Sequence, residues 1–198
     1  MSFYTVGRNV CHFLMNFILK IEITGQENIP VGKGFVLASN HRSFYDPVLL
    51  GIKCKPQLFF MAKAELFEHK IFGYLIKKVG AFPVSRGKGD NSAIENAINI
   101  VKSDRVLAIF PEGTRSKDGK LLRGKSGAIV IAAKTKSDIV PAAISFTKRK
   151  WLRTVARVKY GKPITFEELG VYSDSPSEIK GGSRLLMGKI GELLDSIS

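Results

Sequence analysis

Short apolar runs alternate with amphipathic segments along most of the chain. Runs in which every position or every second position is apolar predict strands at residues 35–39, 57–61, 105–110, 139–146 and 155–160. Apolar residues at spacings of three and four predict helices at residues 65–79, 90–103, 127–136 and 177–197. This alternation favours a single-domain α/β sandwich, in which helices flank one largely parallel mixed sheet.

The first twenty residues carry a helical pattern of their own. Arg8 and His12 interrupt their apolar character, so neither a conventional membrane-spanning helix nor a signal peptide fits. The pattern is typical of an amphipathic helix, and such a helix packs either on the protein core or at a lipid interface. Its apolar stripe consists of Phe3, Val6, Val10, Phe13 and Phe17.

Composition narrows the choice of partner more than it narrows the fold. Hydrophobic residues make up 44% of the 198 positions and charged residues 24%, as in globular proteins. The two cysteines, Cys11 and Cys54, have no zinc-like spacing, so we expect neither a disulfide framework nor a zinc site. The formal net charge of +14 predicts an anionic partner: nucleic acid, an anionic membrane surface or a phosphorylated substrate.

A polar loop at residues 40–46 follows the strand predicted at 35–39. His41 and Asp46 are close enough in this loop for the carboxylate to reach one ring nitrogen of the imidazole. That contact fixes the tautomer and makes the other nitrogen a better general base. Asp46 also precedes Pro47, so a helix N-cap is its alternative role. Because no Gly-x-Ser-x-Gly sequence surrounds Ser43, the pattern predicts a base whose acceptor is a hydroxyl of the substrate.

A second polar loop, residues 110–116, follows the strand predicted at 105–110. It contains Glu112, Gly113, Thr114 and Arg115. A guanidinium fork suits phosphate, and glycine lets backbone N–H groups approach an anion. Reactive groups in open α/β sheets gather beyond the carboxyl ends of strands, so the two loops share one cleft if their strands are neighbours. Two basic segments are further anion-site candidates, one around Arg86 and one around Lys125.

Four blocks of the sequence carry a family resemblance. They follow one another in the family's order and are Asn40-His41-Arg42-Ser43-Phe44-Tyr45-Asp46, Gly80-Ala81-Phe82-Pro83-Val84-Ser85-Arg86, Phe110-Pro111-Glu112-Gly113-Thr114-Arg115-Ser116 and Ile139-Val140-Pro141-Ala142-Ala143-Ile144. With these blocks the chain resembles the lysophosphatidic acid acyltransferases, the bacterial PlsC-type branch of the glycerolipid acyltransferases. The second block departs from the family pattern at Pro83 and Ser85.

The resemblance implies a glycerolipid-acyltransferase-like fold and a reaction. His41, oriented by Asp46, would deprotonate the free hydroxyl of lysophosphatidic acid, which then attacks an acyl thioester to give phosphatidic acid. Glu112 would position glycerol oxygens. Arg115, with Gly113 and Thr114 beside it, would bind the substrate phosphate, and Arg86 and Lys125 are secondary candidates for that role. No cofactor or metal is implied, since the thioester of acyl carrier protein or coenzyme A is a co-substrate.

The resemblance also implies a location and leaves alternatives. We expect residues 1–20 to form a membrane-associating helix and residues 21–198 the acyltransferase domain, on the cytoplasmic face of the cell membrane. The apolar residues 58–61 and 66–79 line an acyl slot or belong to the core. A related acyltransferase with another glycerolipid or lysolipid acceptor is one alternative. A nucleic-acid-binding domain is a distant one, based on the basic cluster at residues 147–153, and we expect no nucleic-acid partner.

Overall fold

Seven strands form one mixed sheet in the computed structural model, which describes residues 3–84, 91–149 and 152–198. The strands are β1 (Leu19–Thr24), β2 (Phe35–Ser39), β3 (Leu58–Lys63), β4 (Ala81–Val84), β5 (Val106–Ile109), β6 (Ile139–Arg149) and β7 (Leu152–Tyr160). Their order across the sheet is β1-β7-β6-β2-β5-β3-β4. Strands β2 to β6 are parallel to one another, whereas β7 and β1 run in the opposite direction. The predicted fold class is confirmed.

Helices cover both faces of the sheet. They are α1 (Phe3–Ile18), α2 (Asp46–Ile52), α3 (Lys70–Lys78), α4 (Asn91–Lys102), α5 (Gly127–Thr135), α6 (Phe166–Leu169) and α7 (Pro176–Asp195). Strand β2 shows how the layers form, because its side chains alternate between two apolar clusters. Phe35 and Leu37 join the cluster under α1 and α2, and Val36 and Ala38 join the cluster under α4, α5 and α7. The central strands are therefore buried on both faces.

The prediction of one continuous helix at residues 65–79 is wrong. The segment forms a short 3-10 turn at Ala64–Phe67 and then α3, which begins after His69. His69 is the N-cap, and its Nδ1 accepts a hydrogen bond from the Phe72 N–H. Several bulky apolar side chains of the segment are exposed, so their assignment to the core is also wrong. Among them are Leu66, Ile71, Phe72, Tyr74 and Leu75.

Helix α1 turns its apolar stripe away from the protein. All five stripe residues are exposed, Phe17 by 67%. Other side chains attach the helix to the domain: Met15 is buried in the core, and Arg8 donates to the carbonyl oxygen of Cys54 over 3.0 Å. The interpretation of the stripe as a core-packing surface is therefore wrong. Within the described ranges, no helix is both long enough and apolar enough to cross a membrane.

Strands β6 and β7 form a hairpin, and both strands are longer than the sequence pattern predicts. Strand β6 continues to Arg149, and β7 begins at Leu152 and pairs with it in antiparallel register. The basic cluster at residues 147–153 lies at the end of this hairpin. Lys150 and Trp151, which belong to that cluster, lie outside the described residues.

Candidate active site

The two polar loops meet at one edge of the sheet. Strands β2 and β5 are parallel neighbours, with Phe35 paired to Val106 and Ala38 to Ile109, so both strands end at the same edge. The loops that follow them are also joined directly, because the Ser116 N–H donates to the His41 carbonyl oxygen over 2.8 Å. The two loops are therefore neighbours at one edge of the sheet, as the sequence predicts.

His41 and Asp46 form the contact that the loop spacing predicts. His41 Nδ1 lies 2.7 Å from Asp46 Oδ2, which also accepts the backbone N–H groups of Arg42 and Ser43 over 2.6 and 2.7 Å. The hydrogen-bond pattern assigns the imidazole proton to Nδ1 and leaves the lone pair on Nε2. The His41 side chain is 15% exposed, whereas Asp46 is fully buried beneath it. This geometry leaves Nε2 free of the contact with Asp46, as a general base requires.

The N-cap role considered for Asp46 is wrong. Tyr45 is the N-cap of α2, and Asp46 and Pro47 are the first two helical residues. The Asp46 carboxylate points back into the loop and not along the helix, because three donors from residues 41–43 converge on it. Pro47 needs no N–H partner at this position, so the helix begins without a side-chain cap.

Asn40 is a site residue that the sequence analysis missed. Its amide Nδ2 donates to the Ile144 carbonyl oxygen over 3.0 Å, and its Oδ1 accepts the Ile144 N–H over 2.8 Å. These paired bonds tie the end of β2 to β6 immediately before His41, in a fully buried position. An asparagine directly after an all-apolar strand is the signal that could have identified it, because a buried amide there needs partners.

Glu112 is buried between the two loops, and both of its oxygens have partners. Oε1 accepts the His41 N–H over 2.6 Å, and Oε2 accepts the Leu122 N–H over 2.9 Å. Burial raises the pKa of the Glu112 carboxyl, while the two N–H donors act in the opposite direction. Glu112 therefore links the backbone of His41 to the segment that leads into α5.

Phe110 forms one wall beside the imidazole. Its ring stacks on the His41 ring at a centroid distance of 4.0 Å and an interplanar angle of 14°. Phe60 on β3 stacks behind it at 6.2 Å. The sequence analysis placed Phe110 in the motif without a role, although an aromatic residue at a strand end beside a proline could have indicated one.

Cationic side chains surround the second loop. The Arg115 guanidinium lies over the Phe44 ring, 3.5 Å from its centroid. The Lys125 ammonium lies beside Gly113, so that a Cβ at Gly113 would be 3.0 Å from Nζ. Gly113 has a φ of 67°, which favours glycine. The site residues Gly113, Arg115 and Lys125 are therefore brought together, with Thr114 exposed between the first two.

Arg42 adds a cation that the sequence analysis did not single out. Its guanidinium covers Gly119, where any Cβ would collide with it. Across the described ranges, no carboxylate forms an ion pair with the side chains of Arg42, Arg115 or Lys125, so these charges are available to an anion. Arg86, the remaining predicted phosphate ligand, lies outside the described residues.

Nucleophilic cysteine chemistry needs a reactive thiol, and metal chemistry needs clustered ligands. Burial raises the pKa of the Cys54 thiol to about 12, so this cysteine stays protonated and is no nucleophile. In the part of the chain that the structure describes, no three or more His, Cys, Asp or Glu side chains converge as metal ligands would.

The chain is similar in sequence to acyltransferases. The family model described as Acyltransferase matches residues 20–145. The 1-acyl-sn-glycerol-3-phosphate acyltransferase of Bacillus subtilis is 40% identical over 141 residues, which cover 71% of this chain and 70% of the relative. The enzyme of the same name from Streptococcus pneumoniae is 36% identical, over 74% of this chain and 56% of that protein.

A solved structure has the same architecture. The crystal structure of the 1-acyl-sn-glycerophosphate acyltransferase PlsC from Thermotoga maritima superposes with a TM-score of 0.75 and 25% identity. The match covers 96% of this chain and 79% of that protein. Together with the family match over most of the sheet and both polar loops, these similarities identify the chain as a member of the acyltransferase family.

Proposed function

We propose that the protein transfers a fatty acyl group from an acyl thioester to the free hydroxyl of lysophosphatidic acid and so forms phosphatidic acid. The observation that carries the proposal is the 2.7 Å contact between His41 Nδ1 and Asp46 Oδ2 at the mouth of the cleft. The bacterial relatives named 1-acyl-sn-glycerol-3-phosphate acyltransferase support the same acceptor.

His41 is the general base in the proposed reaction. Its Nε2 removes the proton from the acceptor hydroxyl as the oxygen attacks the thioester carbonyl carbon. The Asp46 carboxylate stabilises the imidazolium that results, because it accepts the Nδ1–H. Collapse of the tetrahedral intermediate breaks the C–S bond, and the imidazolium returns the proton to the departing thiolate. Proton and electron pairs balance without a protein nucleophile.

The cations of the second loop bind the substrate phosphate in this proposal. Arg115 offers a planar set of N–H donors, and Lys125 offers a point charge beside Gly113. Thr114 adds an exposed hydroxyl, and Arg86 remains a further candidate. Glu112 acts as a positioning residue, because its oxygens hold the His41 and Leu122 backbones.

The transfer assay that tests the proposal crosses two donors with several acceptors. Acyl carrier protein and coenzyme A thioesters are each offered lysophosphatidic acid, glycerol 3-phosphate and a lysophospholipid without a free phosphate. We expect transfer to lysophosphatidic acid, and loss of that transfer in His41→Ala. Val31→Ala is the matched control, because Val31 is exposed and precedes β2, at the sheet edge opposite the cleft. Wild-type transfer by His41→Ala would contradict the proposal.

Peripheral attachment to the cytoplasmic face of the cell membrane is part of this proposal. The exposed stripe of α1 supports the attachment. Its aromatic side chains reach into lipid, where they lose contact with water. Deleting the residues before Lys20 is a poor test, because Met15 belongs to the core. Phe17→Ser is a sharper one: we expect weaker sedimentation with phosphatidylglycerol vesicles and an unchanged melting temperature. Unchanged sedimentation would contradict the role of α1.

A further inference from the structure

Helix α3 packs through its smallest residue and exposes its largest ones. Gly73 is buried, and a Cβ there would lie 2.7 Å from the carbonyl oxygen of Phe67, so the helix can approach the preceding turn only through glycine. The bulky apolar side chains are exposed instead, and 72% of Ile71 is accessible to solvent. The α3 face, as we name it, consists of Leu66, Ile71, Phe72, Tyr74 and Leu75.

The α3 face and the exposed stripe of α1 lie on two helices that touch each other. A Cβ at Gly7 of α1 would lie 3.7 Å from Val79 Cγ1, at the end of α3, so the two helices are in contact. Each helix turns its apolar side chains away from the sheet. Several large apolar side chains exposed on each of two neighbouring helices are typical of an interaction site.

The charges around the α3 face select the kind of partner. Lys70 begins the helix and Lys77 and Lys78 end it, and Lys78 Nζ lies 5.4 Å from the centre of the Tyr74 ring. Of the acidic residues nearby, Glu65 is paired with Lys63 over 2.7 Å, which leaves Glu68 against three lysines. Lysines flanking an apolar face can reach anionic headgroups while the face enters the acyl layer.

One end of each helix lies at the edge of the sheet that carries the two polar loops, whereas Gly7 and Val79 meet at the opposite edge. Helix α3 follows the carboxyl end of β3, which is parallel to β5 and ends at the same edge as His41. Helix α1 ends at the start of β1, and that strand runs opposite to β6 and so begins at this edge. A surface made of α1 and α3 therefore reaches the rim of the cleft.

We infer that the α3 face is a second lipid-contacting element and that its occupant is the surface of an anionic bilayer. The inference rests on the proposed function, which takes its acceptor from that bilayer. Two adjacent helices define a plane, whereas one helix leaves the domain free to roll about the helix axis. The α3 face thus orients the cleft toward the lipid in which the acceptor is embedded.

The test compares two exposed aliphatic residues. Ile71→Ser is on the α3 face, and Val31→Ser is the matched control at 73% exposure on the opposite edge. Each variant is sedimented with vesicles made of equal parts phosphatidylcholine and phosphatidylglycerol. We expect vesicle binding to fall about fivefold in Ile71→Ser, because one buried aliphatic side chain is lost from the interface, and to stay unchanged in Val31→Ser. Tyr74→Ser is a second variant with the same expectation.

Transfer assays separate this inference from the proposed function. With vesicle-embedded lysophosphatidic acid, Ile71→Ser should lose activity in parallel with binding. With a short-chain lysophosphatidic acid that is monomeric in solution, it should match the wild type. If the wild-type protein were inactive with both acceptors, the proposed function would be overturned. Vesicle sedimentation would still show whether the α3 face contacts lipid.

Two results would overturn the inference itself. One is vesicle binding by Ile71→Ser and Tyr74→Ser at the wild-type level. The other is a wild-type dimer that Ile71→Ser converts to a monomer without any change in vesicle binding, measured by light scattering after size-exclusion chromatography. In that case the α3 face is an interface with a second copy of the chain.

Discussion

Asp46 and Glu112 are buried carboxylates, and each is stabilised by N–H donors. One oxygen of Asp46 receives the imidazole and two backbone N–H groups, and each oxygen of Glu112 receives one backbone N–H. Such bonds to a charged acceptor are stronger than neutral ones and fix the backbone on which His41 sits. Both acids therefore position the His41 imidazole, Asp46 by direct contact and Glu112 through the main chain.

Glu112→Gln replaces one of the two carboxylate oxygens of Glu112 with an amide NH₂ group, which cannot accept a hydrogen bond. A glutamine offers one carbonyl oxygen, so either the His41 N–H or the Leu122 N–H would face an amide NH₂. We expect a loss of about 1–3 kcal/mol in the free energy of unfolding, measured by urea denaturation, because a buried donor loses its partner. The rate constant for transfer should fall while His41 remains present. Wild-type stability together with a normal rate would contradict the positioning role.

Phe44→Leu removes the ring on which Arg115 rests. Phe44 is 75% exposed, so the change should leave the fold intact. We expect the KM for lysophosphatidic acid to rise about two- to fivefold, because an exposed cation–π contact contributes about 0.5–1 kcal/mol. The KM for the thioester should stay constant, and Phe44→Tyr should behave as the wild type. In an Arg115→Ala background, Phe44→Leu should have no further effect on KM; an additive effect would refute the coupling.

Helices with the same amphipathic spacing serve opposite purposes in this protein. Helix α7 buries Leu186 and Ile190 against the sheet, whereas α1 and α3 turn their large apolar side chains outward. Gly73 decides the packing of α3, since it lets this helix approach the preceding turn closely. Spacing therefore identifies a helix with an apolar side, but not the surface that this side meets.

Gly188→Ala tests the contribution of glycines to α7. A Cβ at Gly188 would touch nothing within 4 Å, so alanine should raise the free energy of unfolding by about 0.5–1 kcal/mol through helix propensity alone. Gly182→Ala is the matched control in the same helix. Its Cβ would meet Val171 Cγ2 at 3.0 Å, so we expect a smaller gain or a loss. Equal melting temperatures for the two variants would contradict this difference in packing.

The whole molecule combines a formal charge of +14 with an apolar surface on two adjacent helices. In the proposed membrane attachment, charge would attract the protein to an anionic bilayer over a distance of about 10 Å at moderate ionic strength, and apolar contact would act only after arrival. The cations around the second loop use part of the same charge for the substrate phosphate in the proposed reaction.

Ionic strength should separate these two contributions to membrane binding. We expect binding to vesicles that contain phosphatidylglycerol to weaken as salt is raised, because screening reduces the attraction of exposed lysines and arginines. Residual binding at high salt should equal binding to pure phosphatidylcholine and should be weaker in Phe17→Ser. Vesicle sedimentation across a salt series measures both. Salt-independent binding to anionic vesicles would contradict the electrostatic part.

Local sequence patterns were enough to predict five of the seven strands, most of the flanking helices and the two polar loops, but not β1, β4 or α6. Strand β2 occupies the predicted residues, and His41 and Asp46 meet as their spacing indicates, because these features depend on neighbours within one loop or one strand. Periodicity and short motifs are local, so local physics is enough to predict them.

Which distant groups support the site, and which way α1 and α3 face, follows only from the packing of the folded chain. Asn40 binds Ile144 across 104 positions, and Glu112 binds His41 across 71, contacts that no local pattern contains. The stripe of α1 and the α3 face follow the same rule. Apolar side chains gain by leaving water for a protein core or for lipid, so their spacing is the same in both cases. Only the packing of Met15 and Gly73 against the domain selects the outward direction.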